Sequence, residues 1–378
     1  MNNLTAKCSA ILLILLFLPG LFSQLAAQAP VVPASTDLAT FPLKEWSEIK
    51  TGGRSICADS SQYRFFFRKG TVNKLMIWFQ GGGACWNDLT CTASLNPMGK
   101  GFYNSRIIPA MSERHGVFDL DNKQNPFKDW HVVYLPYCTG DLHLGDFAQV
   151  YTAIGGVEVK INHRGAVNVQ AALDWVFEAF PTIDKVFVAG KSAGGYGAIF
   201  WTKAIKDHFS QSPVFQLSDC SSVVSDSLPP ILEKNWHSQL VEDLKMQPTA
   251  SLLADAYITI GKQYAQGLHL AQVNSMYDGV LVGYTGALEG VYFPKATFVQ
   301  SWSQKMQEAT ETIAENLNNF VYFNTDFGQG PDGKTPHTYF HHDNFYKVQE
   351  NGIRLVDWLR SWLHEEQVES VAPERERN

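Results

Sequence analysis

The sequence lacks the short motifs that mark several large classes of enzyme and binding protein. It has no CxxC pair and no HExxH motif, so a zinc site has little support. Its glycine run at residues 81–84 is followed by Cys85, Trp86 and Asn87 rather than by a helix that carries lysine, which argues against a phosphate-binding loop there. The formal net charge is −7 and no basic patch occurs, so nucleic acid is not an expected partner.

Long apolar runs are also scarce, and the main one lies near the N-terminus. It covers residues 10–22, follows Lys7 and precedes small residues that end at Ala27. A positive charge, an apolar segment and small residues in this order are typical of a secretory signal peptide. The run is shorter than the ~20 residues that span a bilayer. We therefore predict a signal peptide at residues 1–27 and a secreted or periplasmic protein that has no membrane contact after its removal.

The rest of the chain has no internal repeat and no low-complexity linker that would mark a domain boundary. The full sequence of 378 residues is 45% hydrophobic and 13% aromatic, which is ample for a large core. We expect a single domain at residues 28–366, followed by a polar, flexible tail at residues 367–378.

Export bears on the cysteines, because an oxidising compartment favours disulfides. Five cysteines follow the signal segment, so they cannot all pair with one another. Sequence alone does not decide which of them are partners. The five are Cys57, Cys85, Cys91, Cys138 and Cys220.

Short apolar runs bounded by turn residues alternate with segments of helical periodicity. Unbroken apolar runs of this length are typical of parallel strands buried on both faces. The alternation predicts an α/β fold with a mostly parallel central sheet and helices on both faces. In such folds the chemistry lies at the carboxyl ends of the strands. The predicted strands are residues 63–67, 74–80, 130–135, 185–189, 214–217 and 319–323, and the predicted helices are residues 165–180, 251–270, 304–317 and 345–365.

The most informative motif is GKSAG at residues 190–194, which directly follows a predicted strand. A strand, a sharp turn that carries serine, and a helix start form a nucleophile elbow, whose flanking positions must be small. The alternative interpretation is a glycine-rich structural turn. We interpret Ser192 as a catalytic nucleophile, which needs a base to take its proton and a further group to orient that base.

The base is expected late in the chain, because the order in α/β-hydrolase folds is serine, acid, histidine. His337 meets this expectation in a loop between the last predicted strand and the last predicted helix. His341 and His342 are competitors at the edge of that helix.

Three aspartates compete for the role of the acid. Asp278 lies between the serine and the histidine, Asp219 directly follows a predicted strand, and Asp326 closely follows another. An isolated aspartate in a loop is more often a turn or cap residue than a catalytic one. Order along the chain leaves Asp278 and Asp219 nearly even.

A glycine run, GGGA at residues 81–84, follows the first long predicted strand. Acyl transfer needs N–H donors where negative charge develops on the carbonyl oxygen. Glycine lets bare backbone N–H groups approach such an oxygen closely, because it has no Cβ. We predict an oxyanion hole formed by Gly82, Gly83 and Ala193, the residue after the serine.

Four motifs occur in one order along the chain: GGGACWN at residues 81–87, PYCTGD at 136–141, HRG at 163–165 and GKSAGG at 190–195. In this order they resemble the pectin acetylesterase family of Notum-like serine carboxylesterases, in its bacterial-type secreted form. The resemblance covers the chain from about residue 46 to the last predicted helix. It implies an α/β-hydrolase fold, carboxylic-ester hydrolysis and no cofactor.

Carried over residue by residue, the resemblance gives Ser192 as the nucleophile, Asp278 as the acid and His337 as the base. Trp86 matches a family tryptophan that lines the substrate mouth. Residues 225–270 match less clearly and are expected to form a helical cap-like insertion. The pairs that match family disulfides are Cys57–Cys138 and Cys85–Cys91.

These features predict a secreted serine esterase that removes short acyl groups, acetyl above all. The substrate would be an acylated small molecule or a plant polysaccharide such as pectin, and the reaction would pass through a covalent acyl-enzyme. Two alternatives use the same fold. A non-catalytic carbohydrate-binding protein would suit the ten tryptophans, and an acyltransferase would use the same three residues.

Overall fold

An eight-stranded sheet runs through the described part of the chain. The computed structural model describes residues 35–93, 101–264 and 266–374, so the predicted signal peptide at residues 1–27 lies outside them. In order across the sheet, the strands are β1 (Trp46–Lys50), β2 (Arg64–Arg68), β4 (His131–Leu135), β3 (Lys74–Phe79), β7 (Lys185–Lys191), β8 (Val214–Asp219), β9 (Leu268–Ser275) and β10 (Phe320–Thr325).

Most neighbouring strands of this sheet are parallel. β1 pairs with β2, and β2 with β4, in the antiparallel sense, whereas all pairs from β4 to β10 are parallel. The carboxyl ends of the parallel strands therefore share one edge, as the α/β prediction requires. Two small antiparallel pairs lie outside this sheet: β5 (Phe147–Thr152) with β6 (Glu158–His163), and β11 (Gln349–Glu350) with β12 (Ile353–Arg354).

Nine helices lie among the described residues: α1 (Asp88–Thr92), α2 (Gly165–Ala179), α3 (Ala193–His208), α4 (Leu228–Lys234), α5 (Leu240–Asp243), α6 (Leu252–Gly261), α7 (Gly279–Leu288), α8 (Ala296–Asn316) and α9 (Leu355–Leu363). None of these nine is long and apolar enough to cross a membrane. Helices α2, α3 and α6 pack into one core cluster and α9 into another.

The residues of β3 show that the two core clusters lie on opposite faces of the sheet. Leu75 and Ile77 belong to the first cluster, and Met76 and Trp78 belong to the second. Successive side chains of a strand point to opposite faces, so β3 is buried on both. This burial explains the unbroken apolar runs in the sequence and confirms the predicted arrangement of helices on both faces.

The helix predicted at residues 345–365 is wrong in its first half. The hairpin of β11 and β12 occupies residues 349–354, and the helix begins only at Leu355. Asn351 and Gly352 have φ angles of 50° and 78°. This left-handed pair is what a two-residue hairpin turn requires, and Asn-Gly is its commonest sequence.

The helix predicted at residues 251–270 is too long, because α6 ends at Gly261 and β9 begins at Leu268. The strand escaped detection because polar residues interrupt its apolar pattern. Asn274 is buried and donates a hydrogen bond of 3.0 Å to Oδ1 of Asn324 on β10. Polar side chains that are paired in this way lie inside a sheet without a large free-energy penalty.

Residues 367–374 pack against the sheet, whereas the sequence predicted a flexible tail at residues 367–378. Val371 is buried, and its backbone forms hydrogen bonds of 2.8 Å with Tyr322 and with Asn324 of β10. The segment thus covers β10, the strand at the edge of the sheet. Covering an edge strand satisfies its open N–H and carbonyl groups.

Two disulfides lie among the described residues, and they are the pairs that the family resemblance implied. Cys57–Cys138 joins residues 81 positions apart, whereas Cys85–Cys91 joins residues 6 positions apart. Cys220 is a free and buried thiol. The covalent links therefore fix the first part of the domain, including the loop that follows β3.

Backbone atoms of β3 and of the turn itself pack closely against the glycines of the turn between β7 and α3. A Cβ atom on Gly194 would lie 2.1 Å from the carbonyl oxygen of Phe79, at the end of β3. A Cβ atom on Gly190 would lie 2.2 Å from the carbonyl oxygen of Gly194. Only glycine fits such contacts, which explains the small residues on either side of Ser192.

Replacing Gly194 by alanine should destabilise the fold, because the overlap is with backbone that cannot move aside. We expect a loss of about 3 kcal/mol in the free energy of unfolding, measured by urea denaturation. Gly283→Ala is the matched control, since Gly283 is an exposed residue of α7 and a Cβ there meets nothing within 4 Å. The control should gain up to about 1 kcal/mol. Equal stability of the two variants would contradict the steric explanation.

Removing each disulfide by a double Cys→Ala substitution should destabilise the protein, and more strongly for the disulfide that closes the longer loop. The chain-entropy relation gives about 4–5 kcal/mol for the pair Cys57–Cys138 and about 2–3 kcal/mol for the pair Cys85–Cys91. The free energies of unfolding of the two double variants in urea test this order. A larger loss for the short loop would show that its bond acts through native-state contacts instead.

Candidate active site

Ser192 lies on a strained turn at the carboxyl end of β7. Its φ of 53° and ψ of −125° fall outside the regions that residues with a side chain favour. Its N–H donates to the carbonyl oxygen of Asp219 at 2.8 Å, and its own carbonyl accepts from the N–H of Gly195 at 3.0 Å. A strand, a strained turn and a helix start thus occur together, as a nucleophile elbow requires.

Asp278 and His337 are joined by a short hydrogen bond, although 59 residues separate them. His337 Nδ1 lies 2.6 Å from Asp278 Oδ2. The other carboxylate oxygen of Asp278, Oδ1, accepts the N–H groups of Val280 and Leu281 at 2.9 and 3.0 Å. Asp278 is fully buried and caps the N-terminus of α7. The capping bonds fix the carboxylate, which in turn orients the imidazole of His337.

Three of the competing candidates have other surroundings. His341 Nδ1 is hydrogen bonded to Oγ1 of Thr338 at 3.2 Å, and burial, with Lys191 nearby, lowers the pKa of His341 to about 2. Its ring is therefore neutral. His342 packs its ring against that of His341, with centroids 3.7 Å apart. Asp326 is exposed, so it lacks the enclosed surroundings of Asp278.

Asp219, the remaining candidate acid, is buried. Its carboxylate accepts backbone N–H groups of the loop between β10 and β11 that carries His337, which we call the histidine loop. Its carboxylate accepts the N–H groups of Tyr339 and Phe340, each at 3.0 Å. Burial raises the pKa of Asp219 to about 6, and the N–H donors oppose that shift. Since its carbonyl oxygen also accepts the N–H of Ser192, Asp219 connects the serine turn with the loop that carries His337.

The glycine loop after β3 leaves the predicted N–H donors available. Gly83 has a φ of 79°, and the N–H of Ala84 is already used by the carbonyl oxygen of Phe102 at 3.2 Å. Among the described residues, no acceptor receives the N–H groups of Gly82, Gly83 or Ala193. Unpaired N–H groups at a strand end and a helix start are what an oxyanion hole needs.

A narrow and mainly apolar cavity lies beside Ser192. It offers about 40 Å³ to the centre of a water-sized sphere. A single water needs about 10–15 Å³ on this measure, so the enclosed part of the cavity is narrow. Trp86 lines the cavity, as the family resemblance implied, and the remaining wall includes side chains of α4 and α7.

The cap predicted at residues 225–270 divides into parts with different positions. Leu228 of α4 and Trp236 after it line the cavity. Helix α6 instead packs against the sheet, where the buried Tyr257 donates a hydrogen bond of 2.8 Å to the carbonyl oxygen of Ala271 on β9. The part that encloses the cavity is therefore shorter than the sequence indicated.

Sequence reasoning missed two features of the site. Lys191 precedes the serine, and its Nζ lies 3.6 Å from Oε1 of Glu113 in a largely buried pair. Burial lowers the pKa of Lys191, and Glu113 opposes the shift. Tyr284 lines the cavity from α7. Its helical spacing from Leu281 and Leu288 is a signal that could have revealed it.

Cys220 lies directly after Asp219 and has a φ of 49°. Its N–H donates to the carbonyl oxygen of Val273 on β9 at 2.8 Å. Burial raises the pKa of its thiol, as do the carboxylates of Asp219 and Asp278 nearby. The thiol is thus protonated at neutral pH and acts as a small buried side chain.

Comparison with known proteins gives a family and two kinds of relative. The pectinacetylesterase family model matches residues 48–228. The palmitoleoyl-protein carboxylesterase NOTUM of Schmidtea mediterranea is 28% identical over 149 residues, which cover 38% of this chain and 27% of that protein. The matched part thus spans about a quarter of that relative.

Solved structures of the Wnt deacylase Notum from Drosophila share the fold. Two crystal forms align with TM-scores of 0.59 and 0.58, each at 16% identity. The alignments cover 86% and 87% of this chain and 94% and 97% of the Notum chains. The mostly parallel sheet and its strand–turn–helix motif are therefore those of an α/β hydrolase.

The matched region, residues 48–228, contains the glycine loop, both disulfides and the serine turn. The fold extends the likeness over most of the remaining chain. Residues 48–228 thus match the pectinacetylesterase family, and the chain is similar to Notum in sequence and fold.

Proposed function

We propose that this chain is a secreted serine esterase that uses Ser192 as nucleophile, His337 as base and Asp278 to orient the base. The observation that carries the proposal is the 2.6 Å bond between Asp278 and His337, at the sheet edge where the strained serine turn ends β7. A catalytic serine needs a histidine that a buried carboxylate holds in one orientation, whereas a glycine-rich structural turn does not.

The proposed reaction proceeds in two halves. Ser192 Oγ forms a bond to the acyl carbon while its proton passes to Nε2 of His337. The N–H groups of Gly82, Gly83 and Ala193 stabilise the oxyanion. The bond to the alcohol oxygen then breaks, and that oxygen takes the proton from His337. Water attacks the acyl-enzyme, gives a proton to His337, and releases the carboxylic acid as Ser192 regains its proton.

The size of the cavity supports a short acyl group as the substrate. The family is named for removal of acetyl from pectin, whereas the planarian relative is named for removal of palmitoleoyl from protein. The narrow, mainly apolar cavity beside Ser192 favours a small acyl group such as acetyl over a long chain. We infer acetyl esters, with a polysaccharide such as pectin as the carrier.

Two observations support export of the protein. The described domain holds two disulfides, which persist in oxidising compartments. The segment at residues 1–27 has the pattern of a signal peptide. We therefore place the proposed activity outside the cytoplasm.

Replacing Ser192 by alanine should abolish hydrolysis of p-nitrophenyl acetate, because no other hydroxyl lies on the strained turn. We expect kcat to fall about a thousandfold or more, and a comparable fall for His337→Ala. Ser301→Ala is the matched control, since Ser301 is exposed on α8, and it should retain the wild-type rate. Equal rates for Ser192→Ala and the wild type would refute the assignment.

Asp219 offers a second test, as a residue that positions His337. In Asp219→Asn the side chain keeps one acceptor oxygen and loses its charge, so the bonds to Tyr339 and Phe340 weaken. We expect kcat on p-nitrophenyl acetate to fall about ten- to a hundredfold with little change in KM, because a shift of the loop misaligns the base. Asp326→Asn, at an exposed position, should leave both constants unchanged. An unchanged kcat in Asp219→Asn would show that its bonds serve stability alone.

A further inference from the structure

The wall that α7 contributes to the cavity is dominated by one aromatic side chain. Leu281, Tyr284 and Leu288 all line the cavity, and their spacing places them on one side of the helix. Tyr284 is the largest of the three. Its ring therefore determines how far the free space extends toward α7.

Tyr284 is held in place by aromatic packing. Its ring centroid lies 6.0 Å from that of Phe102, with the rings at 89°, and 6.5 Å from that of Trp86. Trp86 and Phe102 also pack edge to face, with centroids 6.2 Å apart. Three mutually packed rings are worth more than their separate burial, so this wall is stiff.

The hydroxyl of Tyr284 adds a second constraint. It donates a hydrogen bond to the carbonyl oxygen of Phe102. Burial raises the pKa of Tyr284 to about 12, so the hydroxyl keeps its proton and remains a donor. The phenol is thereby anchored at both ends, by α7 and by the segment that follows the glycine loop.

This anchoring places the phenol beside the predicted oxyanion hole. A Cβ atom on Gly83 would lie 2.0 Å from the Tyr284 hydroxyl oxygen. The ring thus extends from α7 to the glycine loop, next to the position that a reacting carbonyl would take. Ser192 and Tyr284 line the same cavity, so the ring lies where an acyl chain bound at Ser192 would extend.

We propose that Tyr284 sets the upper limit on acyl chain length, admitting acetyl and similarly short groups and excluding long ones. The proposal rests on the proposed esterase function and makes it specific. Removal of the phenol opens the space between α7 and the glycine loop for additional methylenes. Each methylene that becomes buried favours binding by about fourfold, so room for two raises the preference more than tenfold.

The experiment measures kcat/KM for p-nitrophenyl acetate, butyrate, hexanoate and octanoate in the wild type and in variants. We expect the wild type to prefer acetate. Tyr284→Ala should raise the ratio of octanoate to acetate by about tenfold or more. Tyr284→Phe keeps the ring and should keep the wild-type profile. Tyr292→Ala, the same substitution at an exposed tyrosine after α7, is the matched control and should also keep it.

Two results would overturn the proposal. One is the finding that the wild-type enzyme hydrolyses octanoate as readily as acetate. The other is a folded Tyr284→Ala protein whose profile is unchanged. If Tyr284→Ala does not fold, Tyr284→Leu takes its place, since it fills less of the wall and retains apolar packing. Failure of the esterase function itself is distinct, because wild type and Ser192→Ala would then hydrolyse acetate equally.

Discussion

The site depends on one steric constraint, the contact between the backbone at the start of α3 and the backbone at the end of β3. Gly194 meets the carbonyl oxygen of Phe79 at a distance that no side chain allows. A Cβ on Gly81, the first glycine of the loop, would lie 2.4 Å from the carbonyl oxygen of Lys191. The serine turn and the glycine loop are therefore in direct contact, which brings their N–H groups to one place.

Polar bonds extend this arrangement to parts of the chain that are distant in sequence. Asp219 accepts the N–H of Ser192 with its carbonyl and the N–H groups of Tyr339 and Phe340 with its carboxylate. A buried carboxylate is costly unless donors surround it, and here the backbone donors to the carboxylate come from the loop that carries His337. The carboxylate of Asp219 thus holds the histidine loop at the end of β8.

The sequence predicted those parts of the molecule whose signals are local. Unbroken apolar runs revealed the central parallel strands, and the glycines around Ser192 revealed the sharp turn. Residues whose role depends on distant partners were not accessible in this way. Order along the chain left Asp219 and Asp278 undecided, because only the folded chain shows which carboxylate reaches His337. Strand β9 was missed since its buried amides pair across the sheet, and Tyr284 was missed since its partners lie in another segment.

Asp278 has a consequence for how this enzyme family diversifies. The same carboxylate caps α7 through Oδ1 and holds His337 through Oδ2. A shift of α7 that reshaped the cavity would therefore also displace His337, the proposed base. Divergence in acyl preference is expected to proceed by exchanging side chains on a helix that stays in place, or by altering α4, which lacks this link. Lineages that differ widely in substrate should accordingly share the position of α7 while its cavity-facing residues vary.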